Sequence, residues 1–328
     1  MYCHTIIPDS LLPQELDSYL ANGWYRMYHT LFTTHILRRN NDWVNAIWLR
    51  YSLDQWNAGT TFRKLQKRNK NIRIEIGPLE ITDDLLDLYK RYRLFKFNDV
   101  DADLYTTIHG HSGANPFESV LLSCYDEDRL VAGGILDMGK ISAAGIVSFY
   151  DPAYEKSSLG KFLIYHKILY CQQIGLKFFY PGYVLTGVPE FDYKHGIGGN
   201  SVEFYQLSTD AWMPWSQFSE KEWHLEEMKR KLIELEPTLI AKGLQPQLIY
   251  FESFDFSLFA PFQEPLWDCP VYLHLGRHDL PDREWIVKYD IRKQEYQYFL
   301  TTDTDEEDYI LVEDRWYCIT LFDFSPIP

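Results

Sequence analysis

No two of the five cysteines in this chain stand in CxxC spacing: Cys3, Cys124, Cys171, Cys269 and Cys318 lie far apart. Such scatter excludes a disulfide framework or a four-thiolate metal site and points to a reducing compartment, the cytoplasm. No run of about 18 apolar residues occurs, which excludes a helical membrane span. The N-terminus lacks a basic segment followed by an apolar core, the pattern of a secretory leader. A soluble, cytoplasmic protein with no membrane partner is expected. Internal repeats and low-complexity linkers are missing, and nothing resembles a serine or cysteine triad. Metal signals are thin. His109-Gly110-His111 and the pair His274 and His278 have no evident third ligand. The acidic run of Asp303, Asp305, Glu306, Glu307 and Asp308 lacks the glycine and spaced glutamate of a calcium loop, so it reads as a solvated turn. No metal is expected.

At 328 residues, 46% hydrophobic and 24% charged, the chain exceeds one average domain and can bury a large core. Its 10 Trp, 24 Tyr and 20 Phe suit aromatic cores or a surface on which bases or side chains stack. The net charge of −15 is unevenly spread: residues 1–100 carry +3, residues 101–206 carry −5, and residues 207–328 carry −13. Overall acidity therefore does not exclude a nucleic-acid partner for the first third. There, Arg63, Lys64, Lys67, Arg68, Lys70 and Arg73 stand together with no acidic residue among them. Such a segment attracts phosphate or is simply a solvated surface.

Residues 144–194 are the most informative. Gly145 to Tyr150 is an apolar run stopped by Asp151-Pro152, because proline cannot extend a ladder. Ser157 or Ser158 can cap the next helix, and Gly160 lets a ligand approach its start. Phe162, Leu163, Leu169 and Tyr170 recur at helical spacing until Gly175, and Leu176 to Tyr180 is apolar enough for a buried strand. A strand, a loop and a helix start in this order can hold a negative or polar group. Upstream, Thr82 or Asp83 caps a helix with Leu85, Leu86, Tyr89, Tyr92 and Phe95 on one face. Strands follow at Ser119 to Tyr125, Leu130 to Met138 and Ile141 to Tyr150. A helix is expected from about Glu220 to Lys242, ahead of aromatic strands around residues 248–254, 271–275, 285–289 and 297–300. The class is α/β (α+β): a mixed, mainly antiparallel sheet flanked by helices, with residues 1–75 as an N-terminal region, 76–206 as the core and 207–328 as an accessory domain.

Tyr150-Asp151-Pro152, Ser158-Leu159-Gly160, Pro181-Gly182-Tyr183 and Tyr193-Lys194, in that order, resemble the C-terminal domain of the aminoacyl-tRNA–protein transferases. These are the arginyl and bacterial leucyl enzymes of GNAT-like fold. Tyr150 stands where that family has phenylalanine. Leu88-Tyr89-Lys90-Arg91-Tyr92 is similar to a family helix, and Arg68-Asn69 to a pair that follows a basic segment. The resemblance covers about residues 11–205. It implies transfer of an amino acid from tRNA to the α-amine of a protein N-terminus, as in N-end-rule turnover. Aminoacyl-tRNA would be co-substrate, the acceptor a protein or peptide, and no cofactor is implied. The cysteine cluster often found near the N-terminus of that family cannot form, since only Cys3-His4 stands there.

Such a reaction needs a proton acceptor for the amine, donors for the tetrahedral oxyanion and close positioning, but no covalent nucleophile. The candidates are Asp137, Asp151 and Tyr193 for catalysis, each carboxylate being also a plausible turn former. Tyr150, Ser157, Ser158, Gly160, Lys161, Tyr183 and Lys194 are candidates for substrate binding, and Arg63, Lys64, Lys67, Arg68 and Asn69 for tRNA. Two alternatives remain open: an acyl-CoA-dependent N-acyltransferase and a non-catalytic binding protein of the same fold. The first needs a loop of the form Q/R-x-x-G-x-G/A, where residues 155–160 read E-K-S-S-L-G, and a carboxylate at the first position opposes a pyrophosphate.

Overall fold

In the hairpins between residues 119 and 150, apolar residues occupy neighbouring as well as alternate positions, so those strands must be covered on both faces. The computed structural model describes residues 2–39, 42–110, 113, 115–219, 223–251, 254–255, 258, 269–277, 284–302, 309–312, 315–318 and 323–326. A small antiparallel sheet is made of β1 (Cys3–Ile6), β2 (Tyr25–Met27) and β3 (Thr30–Thr34), with α1 (Pro13–Ala21) between β1 and β2 in the chain. Next come β4 (Ile36–Arg39), β5 (Asp42–Ser52), α2 (Gly59–Arg68), β6 (Ile72–Pro78), α3 (Asp83–Phe97) and α4 (Leu104–His109). The meander β7 (Ser119–Asp126), β8 (Arg129–Met138), β9 (Ser142–Tyr150) leads to α5 (Leu159–Gln173) and β10 (Phe178–Leu185). The short α6 (Tyr193–Gly198) precedes β11 (Val202–Gln206) and β12 (Ala211–Pro214).

The central sheet runs β12-β11-β5-β10-β9-β8-β7-β6, with β4 paired to β5. Within it β9 and β10 are parallel, because α5 carries the chain across, and the other pairings are antiparallel. The mixed, mainly antiparallel class expected from the sequence is what the chain adopts. The first region is built into the core rather than set before it: β5 lies between β10 and β11.

Helices cover both faces. Ile135 of β8 packs with Leu85, Leu88 and Tyr89 of α3 and with Ile108 of α4, while its neighbour Leu136 packs with Phe162, Leu163 and Ile168 of α5. Adjacent strand residues point to opposite faces, so one hydrophobic run serves two helices. Truncating one of these fully buried leucines to alanine would cost about 2–5 kcal/mol. Thr82 caps α3, its hydroxyl accepting from the Leu85 amide. The expected place of Phe95 is corrected: it is 46% exposed, and among the described residues its neighbours 94 and 96–98 at the end of α3 are exposed too.

The last third begins with α7 (His224–Ala241), whose expected start at Glu220 lies outside the described residues. A sheet of order β17-β18-β13-β14-β15-β16-β19 follows, its members being β13 (Gln247–Phe251), β14 (Val271–Arg277), β15 (Glu284–Asp290), β16 (Glu295–Thr302), β17 (Tyr309–Val312), β18 (Arg315–Cys318) and β19 (Asp323–Pro326). Leu225, Met228 and Leu232 of α7 share a core with Leu16, Leu20, Leu31 and Ile36 from the start of the chain. The Tyr2 hydroxyl accepts from the Ile291 amide at 2.7 Å, and the Asn45 side chain caps α7 by accepting from the Leu225 amide at 2.9 Å. First and last thirds are thus packed on each other.

Candidate active site

The two parallel strands β9 and β10 pair only over Ser142–Ala144 with Phe178–Tyr180. Beyond that point each strand bends away. Opposite β8, Ile135 faces Val147 and Leu136 faces Gly145, so Ile146 is an extra residue, a bulge that bends β9. Opposite β5, the register of β10 shifts between Phe179 and Gly182. Pro181 has no N–H to give a neighbour, and Gly182 has φ +85°, where a side chain would be strained. The Tyr25 hydroxyl sits in the fork, donating to the Gly145 carbonyl at 2.6 Å and lying 3.2 Å from that of Tyr180. Past it a cleft of about 520 Å³ opens, with Gly145 to Ser148 on one wall and Phe179 and Pro181 on the other. Its size suits a small-molecule or terminal-residue ligand.

The start of α5 forms the rim. Ser158 has φ +56° and stands at the N-cap position, but its hydroxyl does not accept from the helix, which corrects the expected capping. Instead it lies 3.3 Å from the Arg68 guanidinium, which also donates to the Lys156 carbonyl at 3.1 Å. Asn69 donates to the Ser157 carbonyl at 3.0 Å. The basic segment is therefore the helix α2: Phe62 and Leu65 are buried against α5, while Arg63, Lys64, Lys67 and Arg68 are exposed. A Cβ on Gly160 would meet only Tyr150, at an ordinary 3.5 Å, so the glycine is not needed for room.

Tyr150, Ser158, Gly160, Lys161 and Tyr193 all line the cleft, joined by Glu155, Glu190, Lys96 and Tyr51. Burial raises the Tyr193 phenol, so it is a hydrogen-bond donor at neutral pH rather than a base. Tyr150 is raised by burial and by the Glu155 carboxylate, and Tyr92, its ring tilted against that of Tyr150 at 5.2 Å, is pushed to about 12 by burial.

Other expected residues lie elsewhere. Asp137 is fully buried, bonded to Arg26 at 2.7 Å and Ser119 at 2.6 Å, and does not line the cleft. Burial pushes its carboxyl up against the pull of the Arg26 guanidinium. Arg26 also donates to the Ile108 carbonyl and to Asn115, so the pair ties β2, α4 and the meander together. Asp151 caps the turn after β9 through the Ala153 amide and pairs with Arg129 at 2.5 Å and Arg91 at 3.3 Å, also outside the cleft. Lys194 is buried, its ammonium donating to the Tyr183 carbonyl and standing 5.1 Å over the Phe191 ring, and burial lowers it to about 7. Lys194 and Tyr183 thus support the wall behind Gly182. His111, His278, Asp303, Asp305, Glu306, Glu307 and Asp308 lie outside the described residues. Among the described residues no cluster of three or more His, Cys, Asp or Glu could hold a metal.

The sequence did not single out Lys167, Glu190, Lys96 or Tyr51. For Lys167 a signal existed: it stands four residues after Leu163 and four before Cys171, a lysine in an apolar stripe.

The forked sheet gathers cations, phenols and carboxylates into one site between its strands and a helix start. Residues 84–202, which supply nearly all of it, match the family model described as "Arginine-tRNA-protein transferase, C terminus". Over 192 residues the chain is 28% identical to an "Aspartate/glutamate leucyltransferase" of Leptospira interrogans, covering 57% of this chain and 73% of the relative. A protein of the same description from Campylobacter jejuni is 24% identical over 198 residues, covering 58% and 80%. Over residues 84–202 the chain is thus similar to the aminoacyl-tRNA–protein transferases. Among solved structures, the C-terminal domain of a putative lysylphosphatidylglycerol synthetase from Agrobacterium fabrum aligns with TM-score 0.34 and 14% identity over 42% of this chain and 46% of that one.

Proposed function

We propose that this protein is an aminoacyltransferase that moves leucine from leucyl-tRNA to the α-amine of a protein or peptide beginning with aspartate or glutamate. The observation that carries this reading is that the family match falls on the residues forming the fork and its rim. The leucyl donor and acidic acceptor follow the relatives' descriptions. Lys96 and Lys161 in the cleft suit an acceptor whose first side chain is a carboxylate. Glu155 and Glu190 are the carboxylates positioned to take the proton of the attacking ammonium and return it to the tRNA ribose oxygen as the ester C–O bond breaks and the new amide forms. The Tyr193 phenol donates to the ester carbonyl as it becomes an oxyanion. The exposed cations Arg63, Lys64 and Lys67 of α2 contact the tRNA backbone, and Arg68 with Asn69 holds the Ser157–Ser158 turn beside the ester. The protein acts in the cytoplasm, without a cofactor.

The test mixes the full-length protein with charged tRNA and peptides differing in their first residue. Transfer of leucine to peptides starting with Asp or Glu, and not to those starting with Lys, is expected. No transfer with any aminoacyl-tRNA, together with no salt-sensitive tRNA binding, would sink the reading.

A further inference from the structure

Lys167 occupies a place in α5 that the packing reserves for an apolar side chain. It is 1% exposed, and Leu163 and Cys171, four residues to either side, are fully buried. Its ammonium donates to the carbonyls of Ile135 at 2.9 Å and Val147 at 2.6 Å. Those two residues face each other across β8 and β9, at the step where the register slips and Ile146 is left over. A bulge frees backbone groups that need new partners when they are buried. One cation reaching up from the helix satisfies both.

The arrangement is costly, which argues that it has a use. A buried ammonium that forms no ion pair among the described residues carries a large desolvation penalty, and methionine would fill the same volume without one. The sheet also makes room for it: a Cβ on Gly134 would meet the Lys167 Cε at 2.7 Å. Lys167 itself lines the floor of the cleft, beneath the Gly145 to Ser148 wall that the bulge re-aims.

We propose that Lys167 is a positioning residue: its ammonium clamps the bulge of β9 and so fixes the fork wall against which the transferred acyl group lies. The acyl group rests on the transferase reading; the clamp does not. The groups that act on Lys167 are Asp137 on β8 and Cys171 on α5, and those across the cleft are Glu155, Glu190, Lys96, Lys161 and Tyr193. Burial lowers the ammonium to about 7, so mildly alkaline solution removes the charge that strengthens both bonds.

Two full-length variants test this, Lys167→Met and Lys167→Gln, the second keeping an N–H donor one bond short of the ammonium's reach. Hydrogen exchange followed by mass spectrometry, which needs no substrate, should show protection of residues 142–150 reduced at least tenfold in Lys167→Met. Protection of α3 should be unchanged, and Lys167→Gln should recover part of the β9 loss. In the transfer assay Lys167→Met should lower kcat at least tenfold with tRNA affinity within twofold. Wild-type kcat should fall as pH rises from 7 to 9, a limb that Lys167→Gln lacks. Unchanged β9 protection in folded Lys167→Met, or equal loss across the whole sheet, overturns the clamp. If Lys167→Met does not fold, wild-type exchange decides: corrected for intrinsic rates, protection of residues 142–150 should fall relative to α3 between pH 7 and 9, and an unchanged ratio overturns the clamp. If the wild-type protein transfers nothing, the function proposed above falls and exchange still decides the clamp.

Discussion

Replacing Arg63, Lys64 and Lys67 together by glutamine separates what α2 does for the fold from what it does for a partner. All three side chains are exposed, and none forms an ion pair among the described residues. Glutamine has nearly the helix propensity of lysine and arginine, so stability should change by less than about 1 kcal/mol. The buried Phe62 and Leu65, which hold α2 against α5, are untouched. Binding to tRNA should change much more. Each phosphate contact on a duplex contributes about 0.9 to the slope of log affinity against log salt. Three contacts make about 2.7, so at 0.1 M salt the variant should bind up to roughly 500-fold more weakly. Fluorescence anisotropy with labelled tRNA between 50 and 200 mM potassium chloride reads both quantities. A slope lowered by two to three with an unchanged melting curve supports the assignment. An unchanged slope would refute it and leave the helix as a solvated face. Arg68 is kept out of the set because it holds the Lys156 and Ser158 turn.

Three further outcomes follow from the buried groups. Asp137→Asn strands the Arg26 guanidinium inside the protein and should cost about 3–5 kcal/mol in urea unfolding; full stability with activity abolished would instead make Asp137 a participant in the chemistry. Gly134→Ala should cost about 1–3 kcal/mol, because the new methyl meets a lysine stem pinned by two carbonyls, and a loss below about 0.5 kcal/mol would show that the stem yields. Lys194, lowered to about 7, binds its proton less tightly folded than unfolded. The unfolded chain therefore holds more protons between pH 7 and 10.5, and stability should rise with pH there, by at most about 1.4 kcal/mol per unit for one group. Lys194→Met should flatten that rise in urea titrations at pH 7 and 9, and an unaltered rise would contradict the lowered value.

The legible parts were those where local chemistry decides. Asp151-Pro152 stops β9, Thr82 caps α3, and Gly175 follows α5 because each acts within a few residues of itself. The meander was readable from turn residues and apolar runs. α2 was read only as a charged segment, since its two buried contacts, Phe62 and Leu65, are too few to give a periodic stripe. Ser158 was expected to cap a helix, yet its hydroxyl lies beside Arg68, which comes from ninety residues earlier. Asp137 and Asp151 carry the residue type that catalysis needs. What separates them from Glu155 and Glu190 is only the face to which the fold turns them.

By itself the sequence determined the order of elements through the core, the rim turn at Ser158 to Gly160, and the presence of a separate basic segment in an acidic chain. These follow from propensity, turn chemistry and charge, all properties of neighbouring residues. Tertiary structure alone decided that β5 enters the sheet beside β10, that the first and last thirds share a core, and that a cleft opens where β9 and β10 part. It also decided the environment of Lys167 and Lys194. The same side chain is a surface cation in water and a clamp on buried carbonyls, and burial, which the linear chain does not state, makes that difference.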